Sequence, residues 1–429
     1  MNAVPPVPPG ILGLIASAIT YGIRHIPINR VDPASRIKAV MLATNLTDKE
    51  GNGPKLLSNK PTEGGRKLTY QMPAGVIPKD FKDRQDYFEN YGSCLTSIHG
   101  TGTPIITIDT YTTALPTMLK YNYDYLPAHG LAPIACGKLG NGKDLVLDLT
   151  NLPHLLCGGM TGFGKTSFLL GAAVTFKKAC CDVRVIDHKR LNFAKKGLSD
   201  YLTISLEEST TITLLTDLIA EQERRLTLFS GLYEDYKEYR EAVAKDPTLN
   251  LNLDYIVLIV DELNEIEDKA CTEMINRLIR VGRAPGISLI LATQDPNSKV
   301  WPNFTATRNL CAGRVAFYVS DRYMSAAILG KDNTSACRIP LIKGRALIMQ
   351  GNEETTVQTM YTSADQAIKE LQTCEKRIKE MSCERATNTS PQGQGPKNEG
   401  IEHHEPNTIR ATKAPVDPQF NSDDWTPDN

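Results

Sequence analysis

The sequence lacks the patterns that mark disulfide-stapled, zinc-binding or strongly charged proteins. Its ten cysteines include no C-x-x-C pair, and neither they nor the seven histidines show a spacing suited to zinc. Lys and Arg number 48 and Asp and Glu 49, so the net charge of −1 provides no global basic field for a polyanion. We therefore expect a protein with reduced thiols, in which any contact with nucleic acid would be local.

Long hydrophobic runs are also missing. The apolar stretch at residues 11–23 is too short to cross a bilayer as a helix. No Lys or Arg precedes it, so it lacks the charged start of a signal peptide. We expect a cytoplasmic protein in which an N-terminal appendage, residues 1–35, docks on a partner. Peripheral contact with the inner face of the cell membrane is the alternative.

The rest of the chain divides into four parts by composition and periodicity. Residues 36–130 predict a small mixed α/β domain. Residues 131–363 alternate apolar strands with helical runs, which is typical of an α/β fold with a predominantly parallel sheet. An amphipathic helix is expected over 364–387, and residues 388–429 have the composition of a disordered tail with an acidic end.

The predicted elements follow from hydrophobic period and turn residues. In the small domain we predict strands at 37–43, 67–71, 94–98 and 104–109, and a helix over 80–91. In the larger domain we predict strands at 145–149, 154–157, 183–187, 255–261, 287–293 and 315–319, and a long helical stretch over 213–244. Two further strands, antiparallel to each other, are expected between residues 344 and 360.

One octapeptide carries a specific chemical signal. Residues 159–166 form a G-x-x-x-x-G-K-[ST] loop between an apolar strand and a helical run. Such glycines let backbone N–H groups cradle phosphate, and the N-terminus of the following helix adds positive charge. We predict an ATP site in which Lys165 reaches the β- and γ-phosphates and Thr166 binds Mg²⁺; an ordinary glycine-rich turn is the alternative. The predicted nucleotide-binding residues are Gly159, Met160, Thr161, Gly162, Phe163, Gly164, Lys165, Thr166 and Ser167.

Two other predicted strands end in polar residues suited to phosphoryl transfer. Asp261 and Glu262 follow a strongly apolar strand. Asp261 is suited to hold Mg²⁺ through water, and Glu262 to act as general base on the attacking water. Gln294 ends a second apolar strand, where it can sense the γ-phosphate or orient that water. The alternatives are a solvated acidic strand end and a strand-end cap.

A basic cluster follows the strand after the P-loop helix, at residues 187–190. The carboxyl ends of parallel strands form the ligand face of such sheets. The cluster is therefore placed to touch DNA or a neighbouring subunit, and a solvated loop is an equal alternative.

Together these stretches resemble the FtsK/SpoIIIE motor family. Further matching segments are residues 185–189, 260–263 and, above all, 283–296, a stretch that many other P-loop families lack. The resemblance covers residues 131–362. It implies a RecA-like ATPase that assembles as a homo-hexameric ring around DNA, duplex in preference to single-stranded, with ATP hydrolysed at subunit interfaces.

The resemblance also assigns roles to basic residues. Lys165, Glu262 and Gln294 would be completed by an arginine from the adjacent subunit. Arg283 and Arg314 both match family arginines, and the choice between them stays open. The residues expected to contact DNA phosphates, without reading sequence, are Lys189, Arg190, Lys299 and Arg308.

The modules around the motor favour one branch of the family. We find one P-loop, no pattern of a winged-helix domain after the motor and no four-helix membrane anchor before it. We therefore expect an ATP-driven DNA translocase, or coupling ATPase, similar to those of Gram-positive conjugative elements. It would move DNA during conjugative transfer or mobilisation, with a relaxase or transfer-channel proteins as partners. A type VII-like protein-secretion ATPase and a chromosome-segregation DNA pump are the alternatives.

Overall fold

The computed structural model describes most of residues 33–375, and two β-sheets organise this part of the chain. The segments left out are residues 63–64, 86, 89–94, 101, 112–114, 122–129, 247–252, 297–300, 302, 331 and 352. The expectations for residues 1–32 and 388–429 therefore lie outside the described residues. Within the described ranges, no helix is both long enough and apolar enough to cross a membrane.

The first sheet has four antiparallel strands in the order β1-β2-β4-β3. The strands are β1 (Lys55–Thr62), β2 (Gly65–Gln71), β3 (Leu95–Gly100) and β4 (Ile105–Tyr111). The predictions for β2, β3 and β4 are confirmed to within two residues. Strand β1 was not predicted, because most of its side chains are exposed and it shows no clear alternation of buried and exposed positions.

Two helices pack their apolar side chains into the core of this first sheet. The predicted strand at 37–43 is wrong, since α1 (Pro33–Ala43) occupies the segment. Its buried residues Ala34, Ile37 and Met41 recur every three or four positions, which is the helical period. The helix predicted over 80–91 begins earlier, as α2 (Pro78–Lys82), where Asp80 accepts the backbone N–H of Ile77 at 2.8 Å.

The second sheet has ten strands and combines a parallel half with an antiparallel half. Six parallel strands run in the order β12-β7-β11-β10-β8-β9, and four antiparallel strands continue from β12 in the order β13-β14-β5-β6. The strands are β5 (Pro133–Leu139), β6 (Asp144–Asp148), β7 (His154–Gly158), β8 (Asp182–Ile186), β9 (Thr203–Ser205), β10 (Ile256–Val260), β11 (Ile287–Thr293), β12 (Gly313–Phe317), β13 (Arg345–Gln350) and β14 (Glu353–Gln358). This large, mostly parallel sheet confirms the predicted fold class; β5 and β9 were not predicted.

Helices cover both faces of the second sheet and bury its central strands. Every residue of β7, β10 and β11 is buried, as expected for strands with two covered faces. The helices are α3 (Lys165–Lys178), α4 (Glu208–Phe229), α5 (Tyr236–Lys245), α6 (Lys269–Val281), α7 (Phe304–Leu310), α8 (Arg322–Leu329) and α9 (364–375). The part of the predicted C-terminal helix beyond residue 375 lies outside the described residues.

The single helical stretch predicted over 213–244 is wrong, because α4 and α5 are separate helices. Gly231 adopts φ +74°, a left-handed conformation that glycine takes without strain. Asp235 then begins α5 by accepting the backbone N–H groups of Lys237 and Glu238. The high charge density of this region hid the break.

The strand order decides which loops meet at the carboxyl edge of the parallel half. Strand β11 lies between β7 and β10, and β8 lies on the far side of β10. The loops after β7, β11, β10 and β8 are therefore neighbours in space, although the loops after β7 and β11 are more than 130 residues apart in the sequence. All the polar strand ends singled out in the sequence lie along this edge.

Candidate functional site

The P-loop connects β7 to α3, and close backbone packing fixes its path. Gly159 and Gly164 have φ values of +153° and +119°. A Cβ atom on Gly159 would lie 2.6 Å from Cβ of Phe317, and one on Gly164 would lie 3.0 Å from Cα of Gly344. The carbonyl of Phe163 accepts the backbone N–H of Gly344 at 2.7 Å. Glycine is therefore required at both positions on grounds of conformation and of space.

The P-loop lysine lies against the acidic pair. Lys165 is buried, and its Nζ donates to Oε2 of Glu262 and to the carbonyl oxygen of Asp261, both at 3.0 Å. The other carboxylate oxygen of Glu262, Oε1, accepts the backbone N–H of Gln294 at 2.9 Å. The side chain of Gln294 in turn accepts the hydroxyl of Thr161 in the P-loop. The structure thus brings together residues from the ends of β7, β10 and β11.

The two carboxyl groups of this pair have opposite pKa shifts. Burial disfavours ionisation of Glu262, but the Lys165 ammonium and the N–H of Gln294 outweigh it and lower the pKa below its ordinary value. Burial raises the pKa of Asp261, and the opposing effects of Lys165 and Asn192 do not cancel it. Glu262 is therefore ionised at neutral pH, the form that a general base requires.

A third carboxylate, Asp187, supports the site from the end of β8. Its Oδ2 accepts the backbone N–H groups of Asn192 at 3.0 Å and Phe193 at 2.8 Å. The Asn192 amide donates to Oδ2 of Asp261 at 2.7 Å. The sequence analysis did not identify Asn192, because its position in a loop gives no periodic signal. We name residues 187–193 the β8 loop.

The oxygen atoms here fit a magnesium ion. Oδ1 of Asp261 is buried and has no hydrogen-bond partner within the described ranges. Thr166 lines the adjoining cleft, and its hydroxyl makes no hydrogen bond to a described residue. In the described part of the chain, no three His, Cys, Asp or Glu side chains cluster as a closed metal site. A hydroxyl and a carboxylate suit Mg²⁺, which usually keeps several waters and takes phosphate oxygens as its remaining ligands.

A cleft of about 740 Å³ opens beside the P-loop, a volume within the usual range for nucleotide-sized ligands. Lys165, Thr166 and Gln294 line its polar part. Its apolar part holds Met118 and Tyr361, which are 59% and 46% exposed. Apolar groups that line the same cleft as a phosphate cradle suit a nucleobase. Neither residue carried a sequence signal, since they come from opposite sides of the motor sequence and meet through the backbone bond from Tyr361 N to the Leu119 carbonyl.

The basic residues of the β8 loop differ in their surroundings. Lys189 contacts two acidic side chains, with Nζ 3.1 Å from Oε2 of Glu262 and 3.6 Å from Oε1 of Glu265. Arg190 is exposed and pairs with Glu207 at 3.2 Å. Lys299, the other lysine expected to contact DNA, lies outside the described residues.

Two of the predicted arginines, Arg308 in α7 and Arg314 in β12, contact the C-terminal end of α8. Arg308 Nη1 donates to the carbonyl oxygens of Ala326 and Ala327 at 3.2 and 3.3 Å, and Arg314 Nη1 donates to that of Leu329. Burial lowers the pKa of both guanidinium groups. They satisfy carbonyls at the negative end of the helix dipole. Arg283, by contrast, is exposed, and its side chain makes no hydrogen bond or ion pair to any described residue.

Comparison with known proteins agrees with this geometry. Residues 125–298 match the model of the FtsK/SpoIIIE family. The chain is 32% identical over 212 residues to the DNA translocase FtsK of Borreliella burgdorferi, an alignment covering 46% of this chain and 26% of that protein. It is 32% identical over 255 residues to FtsK of Lactiplantibacillus plantarum, covering 55% and 31%. The chain therefore spans about a third or less of the length of these relatives.

Two solved structures share the fold of this chain. The pCW3 conjugation coupling protein TcpA, in a monomer form with ATPγS, has a TM-score of 0.55 and 21% identity, covering 79% of this chain and 99% of that one. EssC (ATPases 2 and 3) from Geobacillus thermodenitrificans has a TM-score of 0.50 and 16% identity, covering 63% and 53%. At these identities the likeness shows the fold alone. The sequence matches and the P-loop site together show that this chain carries a domain of the FtsK/SpoIIIE family of P-loop ATPases.

Proposed function

We propose that this chain hydrolyses ATP to move DNA, as a coupling ATPase in conjugative transfer or mobilisation. The observation that carries the proposal is the hydrogen-bonded set of Lys165, Glu262 and Gln294 beside a nucleotide-sized cleft, within an FtsK/SpoIIIE domain. These residues supply a phosphate-binding cation, a general base and a polar group that links the base to the P-loop.

The catalytic cycle follows from how these groups are held. The backbone N–H groups of the P-loop bind the phosphates of ATP, and Lys165 leaves Glu262 to reach the β- and γ-phosphates. Glu262 is then free to accept a proton from the attacking water, and Gln294 orients that water or senses the γ-phosphate. Thr166 and, through water, Asp261 would hold Mg²⁺, which would supply positive charge beside the phosphates.

We further propose that the site is completed by a second copy of the chain in a ring, which we expect to be a homo-hexamer. The cationic residues that line the cleft within the described ranges are Lys165 and Lys343, and they include no arginine. An arginine commonly stabilises the transition state of such reactions and can come from a neighbouring subunit. Arg283 suits this role because it is exposed, whereas Arg314 is held by a helix carbonyl.

DNA is the proposed polymer, and duplex DNA the preferred form. Two curated relatives are DNA translocases, and a conjugation coupling protein shares the fold. The near-zero net charge makes a local contact necessary. Contact residues are proposed at Lys189, Arg190, Lys299 and Arg308, of which Lys189, Arg190 and Arg308 also have partners within the chain. The proposed location is cytoplasmic, at the inner face of the membrane, with a relaxase or transfer-channel proteins as partners.

The test is ATP turnover without DNA, with single-stranded DNA and with duplex DNA, using Lys165→Ala as the blank. We expect turnover that DNA stimulates and that the substitution abolishes. Stimulation by duplex alone would identify the duplex as the cargo. Turnover that ignores both forms of DNA would refute the DNA motor.

A protein-secretion ATPase is the second candidate, because EssC shares the fold at a TM-score of 0.50. Under this alternative the chain would capture a small helical secreted protein and would not bind DNA. A pull-down with purified helical substrates beside a DNA-binding measurement separates the two functions.

A further inference from the structure

Lys189 and Lys165 share one oxygen atom of the general base. Their Nζ atoms lie 3.1 Å and 3.0 Å from Oε2 of Glu262. The opposite oxygen, Oε1, is occupied by the N–H of Gln294. Three of the roughly four lone-pair positions of the carboxylate are therefore engaged, and the two ammonium groups on Oε2 make it a weaker proton acceptor.

ATP binding removes only one of these two lysines. Lys165 belongs to the P-loop and moves to phosphate when nucleotide enters, as the proposed function requires. Lys189 is on a different element, the β8 loop, and no P-loop contact draws it away. With ATP bound, Lys189 is thus the ammonium group that remains on Glu262 and keeps it a poor base.

Lys189 is also the link between the site and the outside of the protein. The side chain of Glu262 is 3% exposed, whereas that of Lys189 is 23% exposed. The residues that follow it reach solvent: Arg190 has 58% of its side chain exposed, and Leu191 is 76% exposed. A polyanion that approaches this loop meets a basic pair, one member of which holds the general base.

Building on the proposed function, we propose that Lys189 is a positioning residue that restrains Glu262 until the phosphate backbone of DNA draws the ammonium group away. DNA would then stimulate hydrolysis by releasing the base, in addition to any effect on subunit assembly. Lys189 therefore has two alternative partners, Glu262 without DNA and phosphate with it. Lys189 would then both contact DNA phosphate and couple that contact to the general base.

Two ammonium groups contact the general base. The titratable groups around Glu262 come from α3, the β8 loop, β7 and the loop after β10, and they are Lys165, Lys189, Asp187, Cys157, Asp261 and Glu265. Of these, only Lys165 and Lys189 donate to the Glu262 carboxylate. Removing Lys189 therefore leaves one cation on the base.

The experiment measures ATP turnover of the full chain, with and without duplex DNA, for wild type, Lys189→Met, Lys189→Arg and Lys178→Met. Lys178 is the matched control, because its Nζ lies 3.1 Å from Glu370 in an ion pair outside the site. Circular dichroism and thermal melting check that each variant is folded.

We expect Lys189→Met to raise DNA-free turnover about three- to tenfold and to lose most of the DNA stimulation. Lys189→Arg should behave more like wild type, and Lys178→Met should match it. DNA-free turnover of Lys189→Met at or below the wild-type rate would overturn the proposal.

The same data separate this inference from the proposed function. If wild-type turnover ignores DNA while Lys189→Met is still faster, the restraint stands and the DNA motor fails. If DNA stimulates wild type and Lys189→Met equally, the motor stands and the restraint fails. Absence of turnover in every folded variant would refute both.

Discussion

Replacing the general base by its amide should abolish turnover and tighten nucleotide binding at the same time. Lys165 is held by the Glu262 carboxylate at 3.0 Å and by the Asp261 carbonyl at 3.0 Å. Lys165 must give up the first bond to reach phosphate. In Glu262→Gln the acceptor is a neutral amide oxygen. Less bonding free energy is therefore lost when Lys165 moves to the phosphates.

The magnitude follows from the difference between the two kinds of bond. A hydrogen bond between two charged groups contributes about 1 kcal/mol more than one between a charged and a neutral group. About 1.4 kcal/mol corresponds to a tenfold change in affinity. Glu262→Gln should therefore bind a non-hydrolysed ATP analogue about five- to tenfold more tightly than wild type, while turnover falls about 10²- to 10⁴-fold.

Isothermal titration with ATPγS measures the first effect and steady-state phosphate release the second. Glu265→Gln is the matched control, because Glu265 contacts Lys189 at 3.6 Å but makes no bond to Lys165. Its affinity for ATPγS should stay at the wild-type value. Equal or weaker binding by Glu262→Gln would show that the Lys165–Glu262 bond does not compete with phosphate, and the reasoning would fail.

Two further predictions concern stability and the second subunit. Hydrogen bonding by Arg224, with further help from Arg225, lowers the pKa of the Glu221 carboxyl to about 2 from 4.5. Glu221→Gln should therefore reduce the unfolding free energy at pH 7 by about 1–2 kcal/mol. The deficit relative to wild type should shrink as the pH falls through 4.5 towards 2, because protonation removes the wild-type advantage; urea melts at several pH values measure it, and a constant deficit would contradict it. Arg283→Ala should lose turnover and keep ATPγS affinity, whereas Arg314→Met should mainly lower the melting temperature, since Arg314 is bonded to Leu329. The opposite pattern in the two assays would assign the trans-acting role to Arg314.

The sequence predicted the second sheet well because its central strands obey a simple rule. Strands buried on both faces are continuously apolar, and β10 and β11 are buried at every position. The P-loop adds a local pattern whose glycines have conformational reasons visible in the sequence itself. The family likewise followed from contiguous segments, and the match over residues 125–298 confirms it.

The sequence failed where two interpretations of one apolar segment competed. The residues of α1 include an unbroken apolar run at 39–43, which reads as a strand unless the helical spacing of Ala34, Ile37 and Met41 is given priority. The break between α4 and α5 was hidden because one glycine in a charged stretch is weak evidence. Strand β1 lacks the buried side chains on which such reasoning depends.

The side-chain contacts of Glu262 could not be predicted from the sequence, for a different reason. Glu262 meets Lys165, Lys189 and Gln294 only because β11 lies between β7 and β10 and because β8 lies beside β10. Sequence order gives the position of each residue at a strand end, but the neighbours of that end depend on strand order. A lysine after β8 is therefore predicted as a solvent-facing cation, although in the fold it lies on the general base. Since the same lysine adjoins exposed residues of the β8 loop, a contact at the surface and the ionic state of Glu262 are linked through one side chain.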